Sequence, residues 1–275
     1  MSIKKSIRQF YKGIVFRLSA KNSIIFKFFY TYLYKPSKGS LAHFYDEYSK
    51  AKIQVFAIQV GANDGINHDP IHKFIKRDHW HGILIEPQPY VFRNLLHPLY
   101  RRDQNVALEN IAISDKNELM DMYRLSFCQE RWATGLTTFD EQVLKNAIAS
   151  GRIDEIAKRE GVTTPNSKDD YIESFKAEAK SFTFLFEKYA VKHVDVLQID
   201  AEGFDYEVIK LYDLNMNRPE VVVFEVDHLS SEEFKEVEDH LHSNNYKFIK
   251  KGRDVVAVNQ DAFEASRIFD SYFKS

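Results

Sequence analysis

The sequence predicts an α/β fold, a mostly parallel sheet with helices on both faces. Three observations predict it. From about residue 50 onward, strand-like apolar runs alternate with helix-periodic segments, the pattern of a doubly wound sheet. The core runs end in glycine or in acidic and polar residues, at the place where open α/β sheets bind ligands. The last two runs are joined by a connection too short for a crossover, so one strand near the C-terminus must run antiparallel.

Each element has a local reason. Residues 54–60 are apolar, partly β-branched and end in glycine, which reads as a buried strand. Asp69-Pro70 then supplies an N-cap with proline at the first helical position, and Ile71, Phe74 and Ile75 give that helix an inner face. Residues 82–85 form a second strand, stopped by Glu86-Pro87-Gln88-Pro89 because proline cannot continue a central strand. Val91, Leu95 and Leu99 recur at helical spacing. Residues 106–113 read as a third strand and 120–125 as a fourth near the sheet edge. Residues 127–181 hold scattered glycines, Thr163-Thr164-Pro165-Asn166 and much charge. They read as an insertion with one or two helices and mobile connections. Alternation resumes with strands at 194–199 and 220–226 around a helix at 204–211. Ser230-x-x-Glu233 is a capping box, and strands at 246–250 and 255–258 meet at Gly252.

Length and composition set the frame. The chain has 275 residues, 44% of them hydrophobic, which suits one α/β domain with elaborations. We expect that domain over 51–265, after a basic, aromatic, helical extension over 1–50. One cysteine, Cys128, excludes a disulfide framework and a cysteine zinc site. The net charge is −2, and the core has no basic excess, which disfavours nucleic acid as a partner. Residues 1–45 carry lysine and arginine but no acid. Their apolar run is interrupted by Lys27 and is too short to span a bilayer; no small-residue cleavage site follows it. The expectation is a cytoplasmic protein whose N-terminal helices pack on the domain. Peripheral contact with membrane headgroups through 1–45 is the second reading.

The chemistry is sought beyond the strand ends. After the first strand comes Gly61-Ala62-Asn63-Asp64-Gly65. A dinucleotide loop wants G-x-G-x-x-G for a pyrophosphate. A carboxylate at Asp64 would repel that group and suit an ammonium-bearing ligand such as S-adenosylmethionine. Glu86 stands 25 positions after Gly61, where an acid is placed to accept ribose hydroxyls. Ser114-Asp115 follows the third strand, Asp200-Ala201-Glu202-Gly203 the next core strand, and Glu225, Asp227 and His228 the one after.

In these motifs the chain resembles the FkbM family of S-adenosylmethionine-dependent methyltransferases. The matching segments are Val60 to Gly65, Ile85-Glu86-Pro87-Gln88-Pro89, Ala112-Ile113-Ser114-Asp115 and Ile199-Asp200-Ala201-Glu202-Gly203-Phe204-Asp205. They occur in the family's order across about residues 53–260. The resemblance implies a class I methyltransferase fold, with a Rossmann-like sheet and one antiparallel strand near the C-terminus. It implies O-methylation, often of sugars or other hydroxylated metabolites. It also implies that Gly61, Asn63 and Asp64 line the methionine end of the cofactor, that Glu86 takes the ribose, and that Ile113, Ser114 and Asp115 border the adenine; Pro87 and Gln88 complete the expected cofactor site beside Glu86. The insertion at 127–181 and the basic N-terminus depart from the common pattern and leave the acceptor open.

For methyl transfer to a hydroxyl, alignment contributes most and a base must take the proton. Asp200, Glu202 and His228 are the candidates. Asp200, Glu225 and Asp227 could instead hold Mg²⁺, which takes oxygen ligands. Arg131-Trp132 offers a donor and a stacking face for a sugar. His72 and His79 read as surface residues. The function expected is O-methylation of a hydroxyl on a sugar, glycan or related metabolite. The alternatives are a nicotinamide-dependent oxidoreductase and a non-catalytic binding module at a membrane or glycan complex.

Overall fold

The structure, a computed structural model, describes residues 3–227 and 229–273. Among the described residues, ten strands form two sheets. They are β1 (Phe56–Val60), β2 (His81–Ile85), β3 (Val106–Glu109), β4 (Ala112–Ile113), β5 (Glu118–Leu125), β6 (Ile172–Lys180), β7 (Val196–Ile199), β8 (Val221–Glu225), β9 (Tyr246–Lys251) and β10 (Asp254–Asn259). The large sheet has the order β3-β2-β1-β7-β8-β10-β9. Its strands run parallel except β10, which is antiparallel to both β8 and β9. That is the expected class I methyltransferase arrangement, with the antiparallel strand made by the hairpin around Gly252.

Alternation along the strands divides the core. Ile58, Val60, Ile83, Ile85, Val222 and Phe224 face one layer, with the helices Phe182–Lys188, Asp205–Leu211 and Ser231–Ser243. Ala57, Leu84, Val221 and Val223 face the other, as strand periodicity requires. The capping box at Ser230 and Glu233 forms both of its hydrogen bonds.

The N-terminal region is helical, but its last helix is part of the domain core. In Leu41–Ala51, Phe44, Tyr45 and Tyr48 are fully buried. The Tyr45 hydroxyl donates to Gln198 Oε1 at 3.0 Å and the Tyr48 hydroxyl to Glu220 Oε2 at 2.7 Å. Phe263–Phe273 packs beside it and buries Ile268 and Phe269. The domain therefore needs residues on both sides of 51–265. Trp80 closes this layer: it stacks on Phe74 at 5.0 Å, meets Tyr45 edge-on, and donates from Nε1 to Ser49 Oγ.

Several expectations need correction. His72 is buried, with Nε2 at 3.1 Å from Ser19 Oγ and Nδ1 at 2.7 Å from the Tyr100 hydroxyl. Desolvation holds its pKa down at about 3. The Val91-Leu95-Leu99 face shifts to Val91, Leu96 and Leu99, because a π-turn at Phe92–Leu96 adds a residue to the helix just before Pro98, which lacks an N–H to donate. The third strand breaks after Glu109, so only β3 joins the large sheet. Residues 118–125 do not edge that sheet. They pair antiparallel with β6, and β4 runs parallel to β6 on its other side.

Residues 127–181 thus form a built unit. They contain the helices Arg131–Thr134, Glu141–Ala149 and Arg152–Glu160 and end in the nine-residue β6. A separate core of Leu125, Cys128, Ala133, Leu144, Ile148, Ile153 and Tyr171 holds the unit together.

Trp80→Ala removes a fully buried ring from the layer that carries β1 and β2. We expect a loss of about 3–5 kcal/mol, read by urea denaturation. A loss below about 1 kcal/mol would contradict this packing.

Candidate active site

Strand register builds the site. Val60 lies beside Ile85 and beside Ile199, so the loops after β1, β2 and β7 leave the sheet together. The Gly61 and Ala62 N–H groups both donate to the Ile85 carbonyl, and the Asp200 N–H donates to the Val60 carbonyl. Gly61 has φ +80°, and a Cβ there would lie 1.9 Å from the Asp200 carbonyl oxygen. Only glycine allows that approach.

A cavity opens at these ends. Its floor is Val60, Gly61, Asn63, Ile85, Glu86, Pro87, Gln88 and Ile113. Its far wall includes Asp200, Ala201, Glu202 and Phe204. The roof comes from the second sheet and the 127–181 unit: Met122, Arg131, Thr134, Gly135, Thr137 and Phe139. Sequence reasoning missed Ile111, Met122, Thr134, Thr137 and Phe139. The cluster of threonines just after Arg131-Trp132 was the available signal.

Glu86 organises the floor. Its Oε2 accepts from the Asn63 N–H at 2.8 Å and its Oε1 from the Gln88 N–H at 2.9 Å. Two backbone loops are therefore joined through one carboxylate. Burial pushes its pKa up to about 7, against the pull of these two donors. An ionised carboxylate has about four lone-pair sites, so each oxygen keeps one for a ligand hydroxyl.

The expected cofactor residues are not all in the cavity. Gly61, Asn63, Glu86, Pro87, Gln88 and Ile113 line it; Asp64, Ser114 and Asp115 do not. Asp64 spends its carboxylate on the next turn, accepting from the Ile66 and Asn67 N–H groups and from the Asn67 amide. It shapes the loop. The acids that would repel a pyrophosphate are instead Glu86 and Asp200, which do line the cavity. Ser114 Oγ donates to Asp115 and Glu118 outside the cavity.

The candidate bases Asp200 and Glu202 face the cavity together with Arg131. Arg131 NH2 lies 3.8 Å from Asp200 Oδ2. Burial, then the neighbouring Asp200 charge, pushes Glu202 up to about 8. Asp205 is buried at the start of its helix and accepts from the Glu225 N–H at 3.2 Å. Burial and Asp200 push it up to about 7. Trp132 packs against Phe127 in the roof's own core, away from the cavity. His228 lies outside the described residues.

The Mg²⁺ set does not assemble. Glu225 and Asp227 are both paired with Arg253, Asp227 at 2.9 Å, and neither lines the cavity that Asp200 faces. Among the described residues, His193, Asp195 and Glu220 do converge, but before β7 and β8, at the opposite sheet end. There Lys52 Nζ already stands 3.0 Å from Asp195 and 2.7 Å from Glu220.

The residues present fit S-adenosylmethionine. Gln88 Oε1, Thr137 Oγ1 and Arg131 Nε are buried without hydrogen-bond partners and belong to cavity-lining residues; such groups await a polar ligand. The carboxyl groups of Glu86 and Asp200 favour a cationic one, whereas Glu202, held at about 8, is mostly protonated at neutral pH and adds little charge. Ile85, Ile111, Ile113 and Met122 supply an apolar surface for a flat ring.

Two predictions follow from this geometry. Gly61→Ala forces both a strained φ and a backbone clash, so stability and S-adenosylmethionine affinity should fall together. Denaturation and calorimetry check this; an unchanged variant would contradict the close approach. The second concerns pH. Glu202 has a folded pKa raised above its unfolded value, so the folded state binds more protons between roughly pH 4.5 and 8, and stability falls as pH rises through that window. Glu202→Gln should therefore gain stability relative to the wild type as pH increases from 5 to 8.5. A pH-independent difference between their melting temperatures would contradict it.

Residues 59–248 match the Methyltransferase FkbM domain. No curated protein matches the chain. Among solved structures, the chain is similar to precorrin-6y C5,15-methyltransferase from Geobacter metallireducens GS-15, with 12% identity, 78% of this chain and 85% of that one covered, and a TM-score of 0.35. It is also similar to the delta-N METTL16 MTase domain, with 9% identity, 90% and 96% covered, and a TM-score of 0.37. Both are distant in sequence and in overall shape. With more than half its length matched, the chain belongs to the FkbM methyltransferase domain family.

Proposed function

We propose that this methyltransferase is an O-methyltransferase that acts on a hydroxyl of a sugar, glycan or related metabolite. Family membership implies S-adenosylmethionine as the donor. The observation that carries the finer reading is the Asp200–Glu202 pair at the cavity wall beside Arg131. A neutral hydroxyl must lose its proton during transfer, and a carboxyl poised near the working pH is suited to take it. Glu202, held at about 8, is the preferred base, with Asp200 the acceptor's hydrogen-bond partner.

When bound, the cofactor supplies a methyl group on a positively charged sulfonium. The protein's own residues do the rest. Glu86 would accept the ribose hydroxyls through its two remaining lone pairs, and Gln88 Oε1 would accept a further donor. Arg131 lies beside Asp200 and would orient an acceptor oxygen. The roof residues Met122, Thr137 and Phe139 would exclude water, which strengthens each electrostatic contact inside. The nicotinamide reading has no support from the matched domain.

Glu86→Ala should weaken S-adenosylmethionine binding about 10- to 100-fold, as expected for hydrogen bonds to a charged group; calorimetry reads this. Glu202→Gln should keep cofactor affinity and lower transfer to a hydroxyl acceptor by about 100-fold or more. S-adenosylhomocysteine release is the assay, across a panel of glycosides and matched amines. Turnover with amines alone would overturn the O-methyl reading.

A further inference from the structure

We propose that the N-terminal helical hairpin is a docking surface for an anionic membrane, on which the enzyme lies without crossing it. The hairpin consists of Ile3–Ala20 and the continuous helical run Ile24–Phe28 and Phe29–Leu33, with a turn at Asn22 between them. Its inner side is anchored. Ser19 meets His72, Asn22 receives Lys76 and pairs with Asp103, and Phe26 packs edge-on against His72.

Its outer side is unusually apolar. In the second arm Ile24, Ile25, Phe28, Phe29, Tyr32 and Leu33 all face solvent, Ile24 at 84% exposure. They recur in adjacent pairs every four residues, which makes one continuous stripe on a helix. In the first arm Ile7, Phe10, Tyr11 and Ile14 are exposed at helical spacing. Most of the exposed large hydrophobic side chains among the described residues lie in this hairpin. Scattered exposed apolar groups are ordinary, but a contiguous apolar patch marks an interaction site.

Charge selects the partner. Residues 1–45 contain nine lysines and arginines and no acid; Arg17, Lys21, Lys35 and Lys38 are exposed. A hydrophobic protein partner would be met by apolar surface alone, and a second copy of this chain would bring the same positive charge against it. An anionic lipid surface satisfies both features, with apolar and aromatic side chains at the headgroup level and lysines among phosphates. Each basic residue near such a surface adds about fivefold in affinity. No helix among the described residues is long and apolar enough to cross a membrane, so the contact is an interfacial one.

The test uses the full chain and sedimentation with vesicles. One set is phosphatidylcholine; the other holds about one third phosphatidylserine, as in an anionic leaflet. We expect binding to the anionic vesicles, at least tenfold weaker binding to the neutral ones, and a decline with added salt. Phe28→Glu/Phe29→Glu changes only exposed positions, so it should keep the melting temperature and cofactor affinity while losing at least tenfold in vesicle binding. Absence of vesicle binding, equal binding to both sets, or unchanged binding by the folded double variant would each overturn the proposal. So would a concentration-dependent dimer that the double variant splits, since the stripe would then be an interface between copies.

Discussion

The site depends on one buried carboxylate. Glu86 sits where β2 ends, and its two oxygens take N–H groups from the loops after β1 and after β2. The loops are brought within reach by strand register and by the glycine at 61, whose missing Cβ makes room for the Asp200 carbonyl. Placing an acid in this environment is unfavourable, which is why its pKa rises to about 7. Proteins keep such groups where a ligand completes them.

The rest of the cavity follows from covering that floor. An open α/β sheet leaves its strand ends exposed to water. Here β4, β5 and β6 form a second small sheet, and the helices at Arg131–Thr134 and Glu141–Ala149 pack on it. This roof contributes Arg131 and two threonines as well as Met122 and Phe139. The large sheet therefore supplies the floor of the cavity that holds Glu86, while the second sheet and its helices supply the cover.

Much of this was legible in the sequence because the large sheet obeys simple rules. Buried parallel strands read as apolar runs, and glycine, proline and acids mark their ends. The roof was not legible for a physical reason. The β6 strand Ile172–Lys180 alternates from Ser174 onward, but its inward face is Phe175, Ala177 and Ala179 and its outward face is Ser174, Lys176 and Glu178. Alanine, lysine and glutamate are poor strand formers, so pairing with β5 decides the conformation. Asp64 shows a different gap. The loop motif identifies the residue, but only the hydrogen bonds to Ile66 and Asn67 reveal that its carboxylate serves the turn.

Protons released when the cofactor binds give the most direct test of the role assigned to Glu86. A carboxyl near 7 must ionise to accept two hydroxyls, so S-adenosylmethionine binding at about pH 6.5 should release a substantial fraction of a proton. Calorimetry in buffers of different ionisation enthalpy measures this number. The account predicts that the release shrinks above pH 8 and is lost or strongly reduced in Glu86→Gln. Binding without proton release in the wild type, or the same release in Glu86→Gln, would contradict it.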